Sequence, residues 1–368
     1  MVLTKNKADY VLLAYFGILL VFGLIMLASA SSPLGFQRFG DGYFFIKRQF
    51  LFGVFPGIVA FLFFSKFDYR KLKKLSAPIF LLSLVSLILV FIPGIGSNLN
   101  TGANSWLVIA GNSVQPAEFA KLALVIFMAA TLANMGRDIT DLKSGFLIAL
   151  FVGMIPVVLI VLQPDVGTVS ILFSILFGML FVANAKVSHL GALAGAGVVA
   201  LIILILIAPY RAARFTTFLH PELDPQGVGY HINQAFLAVG SGGVFGLGLG
   251  HSRQKFQYLP EVQADSIFAV IAEEMGLLFA GGLIVLLILI SYRAFILAKN
   301  APDRFGRYLI SGIIIWFMVQ SFFNIGAMVG LMPITGVPLP FISHGGTALM
   351  ISMAAVGILI NVSKSVDY

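Results

Sequence analysis

Cysteine is absent from the 368-residue chain, which excludes disulfides, thiol nucleophiles and thiolate metal sites together. Charge is nearly as scarce. Asp, Glu, Lys and Arg make up 10% of the residues, against about 25% in soluble globular domains. The five histidines (His189, His220, His231, His251 and His344) show no HExxH-type spacing, which speaks against a zinc site.

What fills the chain instead is apolar. It is 59% hydrophobic with a mean hydropathy of +1.01, and runs long enough to cross ~30 Å of hydrocarbon recur throughout. The expected fold is therefore an all-α polytopic membrane protein. Ten spans are expected at 9–30, 48–65, 76–93, 115–134, 144–162, 166–184, 187–208, 267–292, 307–331 and 342–362. The first ends in Ala28-Ser29-Ala30, faintly like a signal-peptidase site. Its apolar stretch exceeds the usual ~7–15 residues, so a retained helix is expected.

The net charge of +8 raises the question of nucleic acid, but in a membrane protein basic residues set topology, and no nucleic-acid partner is expected. Of the 23 Lys and Arg, fifteen fall on the side of the N-terminus and seven on the other, with Lys121 inside a span. Both termini are therefore expected in the cytoplasm, with FDYRKLKKL at 67–75 the strongest single signal. Residues 209–266 form a large extracytoplasmic loop between spans seven and eight. Within it, INQAFLAVGSGGVFGLGLG (232–250) reads as a re-entrant or interfacial segment, tolerated at membrane depth only against protein or water.

Several ionisable groups are not explained by topology. Glu118 and Lys121 stand at i, i+3 behind Pro116 and share a helix face. They are either a structural ion pair that neutralises itself or the lining of a polar cavity for an anionic ligand. Asp165 either caps the next span or faces an external cleft. In YLPEVQADSIFAVIAEEMG (258–276), Asp265 could cap the following helix and is expected at the membrane surface, exposed to the outside. Glu273 lies about 20° from Ser266 around that helix and about 10 Å deeper, with Glu274 about 100° away. The adjoining loop is basic: His251, Arg253 and Lys255, with Arg211 and Arg214 upstream, would suit a phosphate or pyrophosphate. An acid beside such cations can serve as a general base, although a channel vestibule could look the same.

NSWL (104–107), QPAEFAKLALV (115–125), QPDVGT (163–168), DPQGVGYHINQAFLAVGSGGVFGLGLGHSRQKFQYLPE (224–261), DSIFAVIAEEMG (265–276) and PITGVPLPFISHGGTALM (333–350) occur in this order. Together they resemble the SEDS proteins (shape, elongation, division and sporulation). The GLGxSRQKFxYLPE form looks more like the division branch, FtsW, than the elongation branch, RodA. The resemblance covers nearly the whole chain, which reads as one SEDS-type membrane domain over 1–368. It implies a peptidoglycan glycosyltransferase that polymerises lipid II, the undecaprenyl-pyrophosphate disaccharide-pentapeptide, on the outer face of the cytoplasmic membrane.

By the same resemblance Asp265 is the essential acid, Glu118 and Lys121 the acid–lysine pair, and Arg253 and Lys255 the conserved cations. Asp265 would deprotonate the acceptor's 4-hydroxyl. Arg253, Lys255 and Arg214 would then stabilise the departing pyrophosphate, with or without a divalent cation (Mg or Mn). Ser343 and Thr335 either line the groove or belong to a rigid cap built by Pro333, Pro338 and Pro340. The implied partner is a class B penicillin-binding protein, a transpeptidase, alongside other divisome or elongasome membrane proteins. Asn104, Ser105, Gln263, Ala264 and His344 depart from the family pattern. A lipid II flippase or transporter, and a non-catalytic scaffold for a transpeptidase, are the competing readings.

Overall fold

The computed structural model describes residues 7–97, 105–109, 112–207 and 209–366; Asn104, named above, and Lys5, one of the fifteen cations counted on the N-terminal side, lie outside them. The helices are α1 (Tyr10–Phe39), α2 (Phe44–Gln49), α3 (Phe55–Lys66), α4 (Tyr69–Leu89), α5 (Pro116–Met135), α6 (Leu147–Val161) and α7 (Val166–Val182). They continue as α8 (Val187–Ile207), α9 (Pro209–Leu219), α10 (Val228–Ser241), α11 (Ile267–Lys299), α12 (Arg304–Met328) and α13 (Gly346–Ser363). A π-helical turn, Phe50–Val54, joins α2 and α3 into one span, and another, Leu142–Phe146, opens the span of α6.

Among the described residues nine helices are long and apolar enough to cross a bilayer, and α7, at 17 residues, makes the tenth. The chain is a multi-pass membrane protein. Some boundaries move: α1 runs on to Phe39 and α4 starts at Tyr69. The cations of α4's first turns thus lie within the helix, where long stems keep their charges at the interface. A small antiparallel sheet, β1 (Gly96–Ser97), β2 (Trp106–Ile109) and β3 (Asn112–Val114), is an addition to the all-α expectation.

Buried in the middle are α5 and α13, with 78% and 72% of their apolar windows enclosed, whereas α8 has only 11% and stands at the rim. α13 packs chiefly on α3, and α12 packs on α5, α7 and α11. Helix starts follow the aspartates. Asp9, Asp68, Asp141, Asp165 and Asp303 each accept a backbone N–H of the following turn. Asp165 is therefore a cap, the first of its two readings.

The span expected at 267–292 is not one helix. At Gly276 the backbone turns to φ 69°, ψ −178°, and the chain of helical hydrogen bonds stops. Segment 243–248 fills the gap: Leu247 and Gly248 donate to the carbonyls of Glu273 and Glu274, at 2.9 Å each. In return Leu277 and Leu278 donate to the carbonyls of Gly243 and Val244, at 2.9 and 3.1 Å. A Cβ on Gly276 would strike the backbone of Val244 to Gly246, and one on Gly246 would strike Glu274. The glycine-rich segment is thus a backbone plug for a broken helix, tolerated because protein supplies these four hydrogen bonds at the break.

Candidate functional site

Asp265 stands two residues before α11, one short of the position from which the other aspartates cap helices, and it does not cap. Ser266 is the N-cap residue, with no side-chain cap bond, and Asp265 Oδ1 has no hydrogen-bond partner among the described residues. The side chain is also not exposed as expected: Asp265 retains 8% of its accessible surface. The reason is a lid of loop. Residues 333–345 fold over the 261–266 turn, with Ser343 donating to Ala264 O and His344 N–H donating to Gln263 O at 2.7 Å. Burial, with Glu261 adding to it, pushes the Asp265 carboxyl up to about 7.

Three uncharged polar side chains hold this turn and the loop over it. Asn324 Nδ2 donates to Asp265 O at 2.7 Å and to Val337 O at 2.9 Å. One turn earlier on the same face of α12, Gln320 Nε2 donates to Pro338 O at 2.8 Å. Gln49, on α2, clamps the loop from the other side, accepting from Gly345 N–H at 2.9 Å and reaching Ser343 O at 3.3 Å. Gln320 and Asn324 at i, i+4 in an apolar helix were the available signal. Ser343 accepts from Leu339 N–H while donating to Ala264, so its hydroxyl fixes the loop and does not line an open groove. Thr335 remains partly exposed.

Glu118 and Lys121 pair at 2.9 Å and are both buried. Lys121 Nζ also reaches Gln320 Oε1 at 2.7 Å and lies over the Trp316 ring. Glu118 Oε2 is left without a partner among the described residues. The pair is buried and touches the loop through Gln320. One chain of bonds therefore runs from Lys121 through α12 to the backbone beside Asp265.

The basic loop divides into used and free cations. Lys255 Nζ sits 2.7 Å from Glu274 and 3.1 Å from Ser29, with 4% of its side chain exposed. Lys255 is thus committed to a buried pair and is not free for a pyrophosphate. Ser252 donates to Glu273, and Arg253 N–H reaches Glu273 at 2.9 Å. The two buried glutamates of EEMG hold the 252–255 turn between them, which explains charges that cannot face lipid. Arg253 and Arg214 remain exposed. Arg214, on α9, is near enough to act on both Asp265 and His231. His231 lies 2.7 Å from the Ser266 hydroxyl, and burial, then Arg214, lowers it to about 4, so it is neutral. His344 is likewise lowered to about 4, by burial and then Arg48, while its ring edge meets Phe45.

Beside this turn a cleft of about 430 Å³ opens between the end of α1 (Leu34, Gln37, Arg38) and residues 257–262, with Lys255 and Glu261 on its border. A buried acid with a raised pKa, unpaired on one oxygen, acted on by the exposed Arg214 and held on a turn beside a cleft, can accept a proton from a hydroxyl near an anionic leaving group.

The model of the FtsW, RodA and SpoVE proteins, described as cell cycle protein, matches residues 10–368. The chain belongs to that family. It is 41% identical to Stage V sporulation protein E of Bacillus subtilis (strain 168) over 99% of both chains. It is 39% identical to a probable peptidoglycan glycosyltransferase FtsW of Trichlorobacter lovleyi over 96% of this chain and 93% of the other. Among solved structures it resembles, with TM-score 0.79 and 26% identity over 97% of each chain, one from "Structural coordination of polymerization and crosslinking by a peptidoglycan synthase complex". RodA of Thermus thermophilus follows at TM-score 0.70 and 26% identity over 97% and 96%. Family membership agrees with the SEDS motifs, and the two relatives by sequence are a stage V sporulation protein E and an FtsW.

Proposed function

We propose that the chain is a peptidoglycan glycosyltransferase that extends glycan strands from lipid II, with Asp265 as general base. The observation that carries this reading is Asp265 itself: buried, uncapping, unpaired at Oδ1 and poised near neutrality. Asp265 takes the proton of the acceptor's N-acetylglucosamine 4-hydroxyl as that oxygen attacks C1 of the donor's N-acetylmuramic acid. The C1–O bond to undecaprenyl pyrophosphate breaks, and the anomeric configuration inverts. Arg253 and Arg214 meet the charge developing on the pyrophosphate. Lys255, Glu118, Lys121 and Ser343 act at one remove, by fixing the turn and the loop that hold Asp265 and Arg253.

A divalent cation finds no ready cage here. Among the described residues no group of three His, Asp or Glu could hold one, and Asp265 has only Glu261 as a carboxylate neighbour acting on it. No step above is routed through a metal.

In this reading both termini are cytoplasmic, residues 209–266 lie outside and carry the site, and 1–368 form one domain. Cross-linking comes from a class B penicillin-binding protein within the division or elongation machinery, since the chain carries no transpeptidase motif. Of the charges that would suit a flippase pathway, Lys121, Glu273 and Glu274 are engaged by protein partners, and Glu118 pairs with Lys121 through one oxygen. The deciding assay supplies lipid II to purified protein with its transpeptidase partner. Wild type yields polymer and Asp265→Asn yields none; glycan chains from the variant would end the proposal.

A further inference from the structure

At the far end of α12 from Asn324 lies a second cavity, of about 340 Å³, lined by Arg70, Lys73, Ala133, Asp303, Arg304 and Phe305. The twenty residues from Arg304 to Asn324 put it about 30 Å from the Asp265 turn. Three helices meet there: α4 brings Arg70 and Lys73, α5 brings Ala133 near its C-terminus, and α12 starts with Arg304.

The charges in this cavity do not cancel. Its one acid, Asp303, is already engaged: Oδ1 caps α12 through Gly306 N–H at 2.8 Å, and Oδ2 accepts from the Tyr69 hydroxyl. Arg70 lies 3.7 Å from that carboxylate and over the Tyr69 ring. Lys73 and Arg304 have no carboxylate within ion-pair distance among the described residues. The Arg304 guanidinium packs on Gly136, where a Cβ would meet Nη1 at 2.6 Å. Topology alone requires cations on this side but not their convergence around one cavity from separate helices.

The surroundings say what kind of anion fits. From Lys73, the face of α4 continues through Ala77 to Leu81 and Val85 at i+4, i+8 and i+12, all exposed. Those apolar positions face lipid, so an acyl chain can run down α4 from a headgroup seated among the cations. We propose that this cavity binds the phosphodiester headgroup of an anionic phospholipid from the inner leaflet. Its phosphate is met by Lys73 and Arg304, and its chains lie on the Ala77–Leu81–Val85 face. The assignment uses the orientation given above but not the activity, and it stands if Asp265 proves dispensable.

Native mass spectrometry of the full chain with dioleoylphosphatidylglycerol or dioleoylphosphatidylcholine tests it. Wild type should retain the anionic lipid preferentially, and Lys73→Gln/Arg304→Gln should lower that preference about tenfold. Ala133→Phe, which fills the cavity without changing charge, should lower it as well. Lys71→Gln/Lys74→Gln, the same charge loss on exposed positions of α4, should leave it intact. Equal retention of both lipids by wild type would overturn the proposal. So would an equal loss in the Lys71/Lys74 variant, preserved retention in Ala133→Phe, or displacement of the lipid by millimolar inorganic phosphate.

Discussion

Because burial, reinforced by Glu261, holds the Asp265 carboxyl near 7, above its ordinary value of 3.8, folding disfavours its charged form. Between about pH 4 and pH 7 the folded state binds more protons than the unfolded one, so this group's contribution to stability is lost as pH rises through 7. Two outcomes follow with opposite signs. Polymerisation by wild type should rise with pH through an inflection near 7, since the base must be ionised. Asp265→Asn should be inactive, yet melt a few degrees above wild type at pH 8 and level with it at pH 4, measured by fluorescence thermal unfolding.

Lys255 gives the converse case. Lys255→Met strands Glu274 as a buried charge and should cost about 3–5 kcal/mol of stability. Lys255→Met/Glu274→Gln should recover the fold and, with it, polymer from lipid II. A double variant that folds but makes no polymer would return Lys255 to the substrate. Asp265 was legible in the sequence through its motif, whereas its burial was not, because the lid that covers it arrives from residues 333–345. The engagement of Lys255 was equally hidden. Its partner stands on another element, and a basic loop reads the same whether its cations are free or paired. Gln320 and Asn324 carry no charge, so neither topology nor electrostatics marks an amide inside a span.

At the scale of elements, ten spans could be read from apolar length alone, which is what a bilayer enforces. The break in α11 could not, because a glycine inside a long apolar run is tolerated in a helix and carries no mark of its φ. The break predicts a contrast within one helix. Gly276→Ala should cost about 3 kcal/mol or more, through left-handed strain and collision with the 244–246 backbone. Gly281→Ala and Gly282→Ala, with open space around each, should change little. Thermal unfolding of the three variants in detergent checks this. Along α12, Asn324→Ala should lower kcat by about ten- to a hundredfold with KM nearly unchanged, since it releases the backbone of Asp265 without touching substrate.

For the whole molecule, the missing cysteines are an experimental advantage: any introduced thiol is the only one. Gln257→Cys should react with a membrane-impermeant maleimide in intact cells, and Lys299→Cys only after permeabilisation. The reverse pattern would invert the orientation and move the proposed site to the cytoplasm. The plugged break in α11 also bears on biosynthesis. Residues 267–275 are too few to cross a bilayer, and the carbonyls of Glu273 and Glu274 accept from residues 247 and 248, which leave the ribosome earlier. The insertion machinery therefore meets the plug before the helix it completes. Pairing closes a loop of only about thirty residues, a small entropic step. Residues 228–278 should mature as one late-protected unit in hydrogen exchange, after the flanking spans are in place, making the assembly of the site a separate event from insertion of the bundle.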